Sequence, residues 1–251
     1  MNRISALFSL TLTLAVLTLC GCTKFEVAGK MPQSGLALTF DDYYVDDWFK
    51  MLPLLDSFHA KATFYVSNYS KLSSSQRQKL KTIQQHGNEI AFHTTNHYNM
   101  NQYLSSSTME KLMFNEITKG LEKMNADGFY PTTFAYPYGQ HTLALDNELL
   151  KRFKSVRALN GTNNFAKSMA ATSNNQLLYG LGIDESSKRD FDLLLRLLNN
   201  CEKNSSCLVL VAHHVGRPDL TMQLPTDKLR SLLQRAVNSK LRFYTISEIS
   251  N

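Results

Sequence analysis

Along this chain the spacing of apolar positions changes repeatedly, and the changes mark alternating strands and helices. A mixed stretch ends in Met31-Pro32-Gln33-Ser34-Gly35, and the run Leu36–Phe40 is then apolar except for Thr39. Such a run suits a strand buried on both faces. A helix is expected through Trp48, Phe49, Leu52, Leu54, Leu55 and Phe58, kinked or split by Pro53. Ala62–Val66, β-branched and aromatic, reads as a second strand. Ser73–Ile83 is a polar helix with a Ser N-cap, stopped at Gly87. Glu89–Phe92 is a third strand running into His93. Leu112, Ile117, Leu121 and Met124 recur at helical spacing and predict one long amphipathic helix over Thr108–Met124. Thr132–Tyr136 is a fourth strand stopped by Pro137, followed by a helix over Leu143–Phe153. Strands Ser155–Leu159 and Leu177–Ile183, a helix Phe191–Leu198, a strongly apolar strand Cys207–Ala212, a helix Thr226–Val237 and a closing strand Leu241–Ile246 complete the pattern.

Seven or eight strand–helix units with non-alternating strands predict an α/β fold, a parallel sheet covered by helices. The count favours a single barrel of about seven strands, TIM-barrel-like, over an open doubly wound sheet. Right-handed crossovers then bring every strand's C-terminal end to one rim. That rim would gather Asp41 and Asp42, His93 and His97, Tyr136–Gly139, and His213, which stand far apart in the chain.

Composition changes this picture little. The 251 residues are 43% hydrophobic, enough for one domain with a sizeable core, and neither disordered nor collagen-like. The net charge of +6 is spread over the predicted helices, the mark of a solvated surface, with weak attraction to anionic surfaces as the alternative. No nucleic-acid-binding motif is present, and the sequence is silent on oligomeric state.

The N-terminus changes the picture more. Asn2-Arg3, the uncharged apolar run Ile4–Leu19 and then Leu19-Cys20-Gly21-Cys22 have the layout of a targeting segment. This segment resembles a bacterial lipoprotein signal, which makes Cys22 the lipidated residue; the alternative is an uncleaved anchor helix. Residues 1–21 are then signal peptide, 22–34 a tether and 35–251 the folded domain. Thr23, where an Asp usually marks inner-membrane retention, points to a lipid-anchored protein of the bacterial envelope at the outer membrane, facing the periplasm. Cys201 and Cys207 remain, and either a disulfide or two structural thiols fits that oxidising compartment.

Asp42, His93 and His97 together form a candidate divalent-metal site, since two imidazoles and a carboxylate leave positions open for water or substrate. Asp41, beside a ligand, is placed to take a proton from water there; a helix cap is its other reading.

The joint pattern Thr39-Phe-Asp-Asp42, His93-Thr-Thr-Asn-His97, Phe134-Ala-Tyr-Pro-Tyr-Gly139 and Leu208-Val-Leu-Val-Ala-His213 resembles the NodB-homology polysaccharide deacetylases, carbohydrate esterase family four. The resemblance runs from Leu36 onward and includes Ala62-Thr-Phe-Tyr65. It implies a distorted (β/α) barrel, a divalent metal, usually Zn²⁺, and removal of acetyl groups from an acetylated glycan. It assigns Asp42, His93 and His97 as ligands, Asp41 as general base and His213 as general acid. The turn Tyr136-Pro137-Tyr138 would meet the substrate, with the Tyr138 N–H facing the oxyanion. Tyr136 and Trp48 are candidates for sugar stacking or for the core. The substrate expected is a polymer or oligomer containing N-acetylglucosamine. O-Acetyl esterase activity on an acetylated polysaccharide and a catalytically lapsed glycan-binding lipoprotein are the alternatives, with peptidoglycan a less favoured substrate.

Three features depart from the family pattern. Ala135 stands where an Arg often orients the catalytic Asp, and Arg157 on the next strand is the candidate replacement. Tyr43 replaces the usual Gly after the Asp pair. The family's Asp-x-x-Asp-Trp motif has no clear match, Asp184 being the nearest. His213 is preferred over the adjacent His214 as the acid, because the apolar motif residues lead into it.

Overall fold

A computed structural model of the chain describes Met31, residues 33–170 and residues 175–250. Seven parallel strands close into a barrel. They are β1 (Gly35–Asp42), β2 (Ala62–Val66), β3 (Glu89–Phe92), β4 (Thr133–Ala135), β5 (Ser155–Leu159), β7 (Leu177–Gly182) and β8 (Cys207–Ala212), and β8 pairs back onto β1 from Gly35↔Cys207 to Phe40↔Ala212. The expected seven-stranded barrel is therefore present. A two-residue β6 (Met169–Ala170) lies antiparallel to β8, and β9 (His214–Val215) pairs with β10 (Gln223–Leu224) outside the barrel.

Helices pack around the wall: α1 (Val45–Ser57), α2 (Ser74–Gln85), α3 (Met100–Leu104), α4 (Met109–Leu112), α5 (Lys119–Ala126), α6 (Leu143–Leu149), α7 (Phe191–Asn204) and α8 (Thr226–Asn238). The strand alternation divides the core in two. On β1, Leu36, Leu38 and Phe40 join the large cluster shared with the helices, while Ala37 joins Tyr65, Ala91, Ala135, Leu178, Cys207 and Val209 inside the barrel. Several of these inner residues are alanine, which leaves room for large polar side chains near the mouth.

The local signals behave as the sequence suggests at α2, where Ser73 and Gln76 form a reciprocal capping box and Gly87 follows with φ 84°. Elsewhere the structure corrects the expectations. Pro53 does not split α1, which runs unbroken through it, and it lies on the exposed face of the helix. The long helix is interrupted by a π-helical turn, Met113–Thr118, between α4 and α5. The ring is closed by β8 on β1, and the expected closing strand shrinks to β11 (Arg242–Phe243), paired to the first two residues of β1. Just ahead of β1, Met31 is buried in the inner cluster and the Tyr244 hydroxyl donates to the Gln33 carbonyl at 3.0 Å.

Cys201 and Cys207 are two free, buried thiols rather than a disulfide. Cys201, on the buried face of α7, belongs to the outer cluster, while Cys207 points into the barrel, so the wall of β8 separates them. Among the described residues no helix is long and apolar enough to cross a membrane. The signal segment and Cys22 lie outside the described residues.

Candidate active site

The C-terminal ends of the barrel strands bring the candidate residues together. Asp41 and Asp42 end β1, His93 follows β3, Tyr136 follows β4, Asp184 follows β7 and His213 follows β8. One ligand atom from each of Asp42, His93 and His97 lies within 4.8 Å of the others. Asp42 Oδ1 is 3.0 Å from His97 Nε2 and 3.7 Å from His93 Nε2. It is buried without a well-directed hydrogen bond, which is costly unless a cation compensates it. His93 Nδ1 lies 2.8 Å from the Ala135 carbonyl, so Nδ1 carries the proton and Nε2 keeps its lone pair. Burial lowers the His93 pKa to about 4, against the opposing pull of Asp41 and Asp42, and so keeps the ring neutral. For Asp42, burial alone would raise the pKa, but the His97 contact and the neighbouring imidazoles hold it well below the usual carboxylate range. The neutral His93 ring, the second imidazole of His97 beside it, an ionised carboxylate and a buried carboxylate oxygen suit a divalent cation.

The two histidines converge because their connecting loop is sharply turned. Thr94 and His97 both have left-handed backbone, φ 66° and 60°, and the Thr94 hydroxyl accepts the His97 N–H at 2.9 Å. Glu116 clamps this loop from behind. It is fully buried in the π-helical turn, its carboxylate accepts from Asn96 N–H at 2.9 Å and Asn96 Nδ2 at 2.7 Å, and its carbonyl accepts from Thr95 N–H at 2.9 Å. Glu116 was not among the expected residues. The available signal was a carboxylate four residues after Leu112, on the apolar face of a helix.

Asp41 points into the barrel and meets Arg157, whose Nη2 donates to both carboxylate oxygens at 2.6 and 2.5 Å. Arg157 is fully buried and lies over the Tyr65 ring, 5.1 Å from its centroid. Ala135 and Arg157 are registered partners on β4 and β5. Registered neighbours in a parallel sheet point the same way. The guanidinium missing at 135 is therefore supplied from the paired position one strand over, and Ala135 leaves the space it occupies.

On the other side of the mouth, His213 Nδ1 lies 2.6 Å from Asp184 Oδ2, and the His213 N–H donates to Asp184 Oδ1 at 3.1 Å. This pairing leaves Nε2 as the nitrogen available to a reactant. Burial would lower the His213 pKa, but the Asp184 hydrogen bond and the charges of Asp41 and Asp42 outweigh it and raise the pKa above its ordinary value. His214 turns away, its Nδ1 2.6 Å from Asp47 and its ring tilted by 32° against that of Tyr44, which makes it a structural residue. Trp48 is fully buried and donates from Nε1 to the His213 carbonyl at 2.9 Å, so it braces the backbone and is no sugar platform.

Tyr136 is likewise a core residue, its hydroxyl donating to Asp146 at 2.7 Å. Pro137 is buried beneath the turn. Tyr138 is exposed, with φ 60°, and its ring lies 4.9 Å from that of His97 at the rim. Gly139 beside it allows contact that a side chain would block, since a Cβ there would sit 2.3 Å from Leu159.

The family described as polysaccharide deacetylase matches residues 28–154. The chain belongs to this family. The matched span carries Asp41, Asp42, His93, His97 and the Tyr136–Gly139 turn, while Asp184 and His213 join the site through the fold. No curated protein matches. Among solved structures, the peptidoglycan deacetylase PdaC from Bacillus subtilis is similar at 17% identity and TM-score 0.58, covering 87% of this chain and 90% of that one. The catalytic domain of a peptidoglycan N-acetylglucosamine deacetylase from Eubacterium rectale gives 16% identity and TM-score 0.57, with 90% and 95% covered. A family 4 carbohydrate esterase from Streptomyces lividans, in complex with acetate, gives 17% and 0.55, with 86% and 94% covered. At these identities the likeness concerns the fold.

Proposed function

We propose that this polysaccharide deacetylase family member is a metal-dependent hydrolase that removes N-acetyl groups from N-acetylglucosamine-containing polysaccharide or oligosaccharide. The observation that carries the reading is the pairing of Asp41 with Arg157 and of His213 with Asp184 on the rim that also holds the Asp42–His93–His97 cluster. Asp42, His93 and His97 would hold a divalent cation, Zn²⁺ by expectation, and when bound it would supply polarisation of an acetyl carbonyl and a more acidic water. Asp41, fixed by Arg157, takes the proton of the attacking water. His213, oriented by Asp184, gives its proton to the leaving amine nitrogen. The Tyr138 N–H donates to the oxygen on which negative charge develops, an interaction that strengthens in the transition state. Acid and base each contribute about 10²- to 10⁴-fold to such a reaction.

His213, held by Asp184 with its pKa raised, keeps a proton to give to a leaving amine. The catalytically lapsed alternative rested on the absent Arg and the unmatched Asp motif. Arg157 and Asp184 supply both contacts, which favours a working site. The leader resemblance supports a lipid anchor at Cys22 and an envelope location. Radiolabelled fatty acid incorporated by the parent chain and lost in Cys22→Ala checks the anchor. Acetate release from chitooligosaccharides and poly-N-acetylglucosamine, with and without chelator, tests the activity. Release that survives both chelation and Asp41→Asn refutes it.

A further inference from the structure

Two hollows lie side by side next to the rim at His97. The first, of about 350 Å³, is lined by His97, Tyr98, Asn99, Gln102 and Tyr138. The second, of about 380 Å³, shares Tyr98, Asn99 and Gln102 and adds Tyr103 and Ser106. Each is within the size range of small-ligand sites, about 300 to 1,000 Å³. The second hollow has no charged side chain, and the first has none beyond the ligand histidine. Their walls combine aromatic rings with amides and a hydroxyl.

Tyr98 is 54% exposed and follows His97 directly, although a large aromatic side chain gains by burial. Tyr98 and Tyr103 lie 6.2 Å apart between ring centroids, tilted by 38°. The surrounding groups are fixed. Asn115 Nδ2 donates to the Tyr103 hydroxyl at 3.0 Å, and Asn99 Nδ2 donates to Gln140 Oε1 at 2.9 Å, tying α3 to the Tyr136–Gly139 turn.

We propose that Tyr98, Asn99, Gln102 and Tyr103 form a binding subsite for a neutral pyranose, the sugar adjoining the residue whose acetyl group reaches the His97 rim. A pyranose presents a C–H face to an aromatic ring and hydroxyl or acetamide groups at its edge. Tyrosine faces bordered by amides match that amphipathic shape. An anionic ligand would meet no compensating cation in these walls, and a purely apolar one would strand the amides. The subsite rests on the proposed deacetylase activity and deepens it, because it selects chains of two or more sugars over single ones.

The test compares kcat/KM for acetate release from the di- and tetrasaccharides of N-acetylglucosamine in wild type, Tyr98→Ala, Tyr98→Phe and Gln102→Ala. Titration of the tetrasaccharide onto each variant gives Kd. Tyr98→Ala is expected to raise the tetrasaccharide Kd by about tenfold, the scale of one lost aromatic contact plus its buried area, and to lower the tetra- to disaccharide kcat/KM ratio. Tyr98→Phe, which keeps the ring, is expected to retain most of both, and Gln102→Ala to lose part. Bound metal content and melting temperature confirm that each variant is folded. Should Tyr98→Ala misfold, Gln102→Ala carries the same comparison. An active wild type whose chain-length ratio and Kd are unchanged by these substitutions overturns the subsite alone. A wild type that releases no acetate from any of the saccharides overturns the deacetylase reading, and the subsite with it.

Discussion

Replacing Arg157 by Ala removes the guanidinium that the structure places against both oxygens of the Asp41 carboxylate inside the barrel. The pair is almost completely shielded, with side-chain exposures of 0% and 4%. Solvent therefore does not reach the pair in the intact protein. Removing one partner of a buried pair costs about 3 to 5 kcal/mol, because the remaining charge is stranded. Asp41 lies at the mouth, where water can reach a widened cavity, so the lower end applies, about 3 kcal/mol. For a domain of this size that lowers the melting temperature by roughly 6 to 12 °C. Activity falls further than stability, since a base displaced by about 1 Å loses on the order of 10²-fold. Arg157→Lys restores the charge but not the planar fork, and recovers only part. The decisive control is the double variant Ala135→Arg, Arg157→Ala. Positions 135 and 157 are registered partners, so a guanidinium returned from β4 reaches the same interior and should regain melting temperature and acetate release together. Thermal melts with kcat/KM on a chitooligosaccharide measure both. Arg157→Ala that melts and turns over within about twofold of wild type would refute the claim that this pair aims the base.

Other outcomes follow from the same geometry. His213 acts protonated and its pKa is raised, so activity should fall as pH rises through that raised value. Asp184→Asn removes the hydrogen bond that raises it, and the alkaline limb of the pH–rate profile should move to lower pH. Glu116→Ala frees the loop that presents both histidines, and metal affinity measured by competition with a chromogenic chelator should drop about 10- to 100-fold; an unchanged affinity would mean that the loop holds itself. His93→Ala should abolish stoichiometric metal binding, read by elemental analysis, and acetate release with it. Tyr136→Phe leaves the Asp146 carboxylate with His141 alone and should lower stability by about 1 to 3 kcal/mol in a denaturant titration.

Much of the barrel was legible in the sequence because parallel strands buried on both faces cannot hide their apolar runs. Leu36–Phe40 and Cys207–Ala212 stand out for that reason, and they are the two strands that close the ring. The cluster of Asp42, His93 and His97 was legible because each residue directly follows a strand or its short loop. The groups that orient the chemistry, Arg157 and Asp184, were legible only as candidates set against the family pattern, and their partners became clear from the fold. Arg157 stands inside an ordinary strand, and its meaning comes from register with Ala135, a relation between strands that no local pattern carries. Asp184 becomes a partner of His213 only when β7 and β8 lie side by side. The closing strand was overestimated because Leu241–Ile246 is apolar enough for a strand, yet its last residues pack under the barrel, where Tyr244 and Ile246 join the inner cluster. The two cysteines show the same limit, since a separation of six in sequence says nothing about which side of β8 each faces.

The account assigns different work to two adjacent carboxylates, and metal content measured beside acetate release separates them most directly. Asp41→Asn should keep its metal and lose on the order of 10²-fold or more in acetate release from an N-acetylglucosamine oligomer. Asp42→Asn should lose both. An Asp41→Asn protein that keeps full, chelator-insensitive activity would contradict the account at its centre.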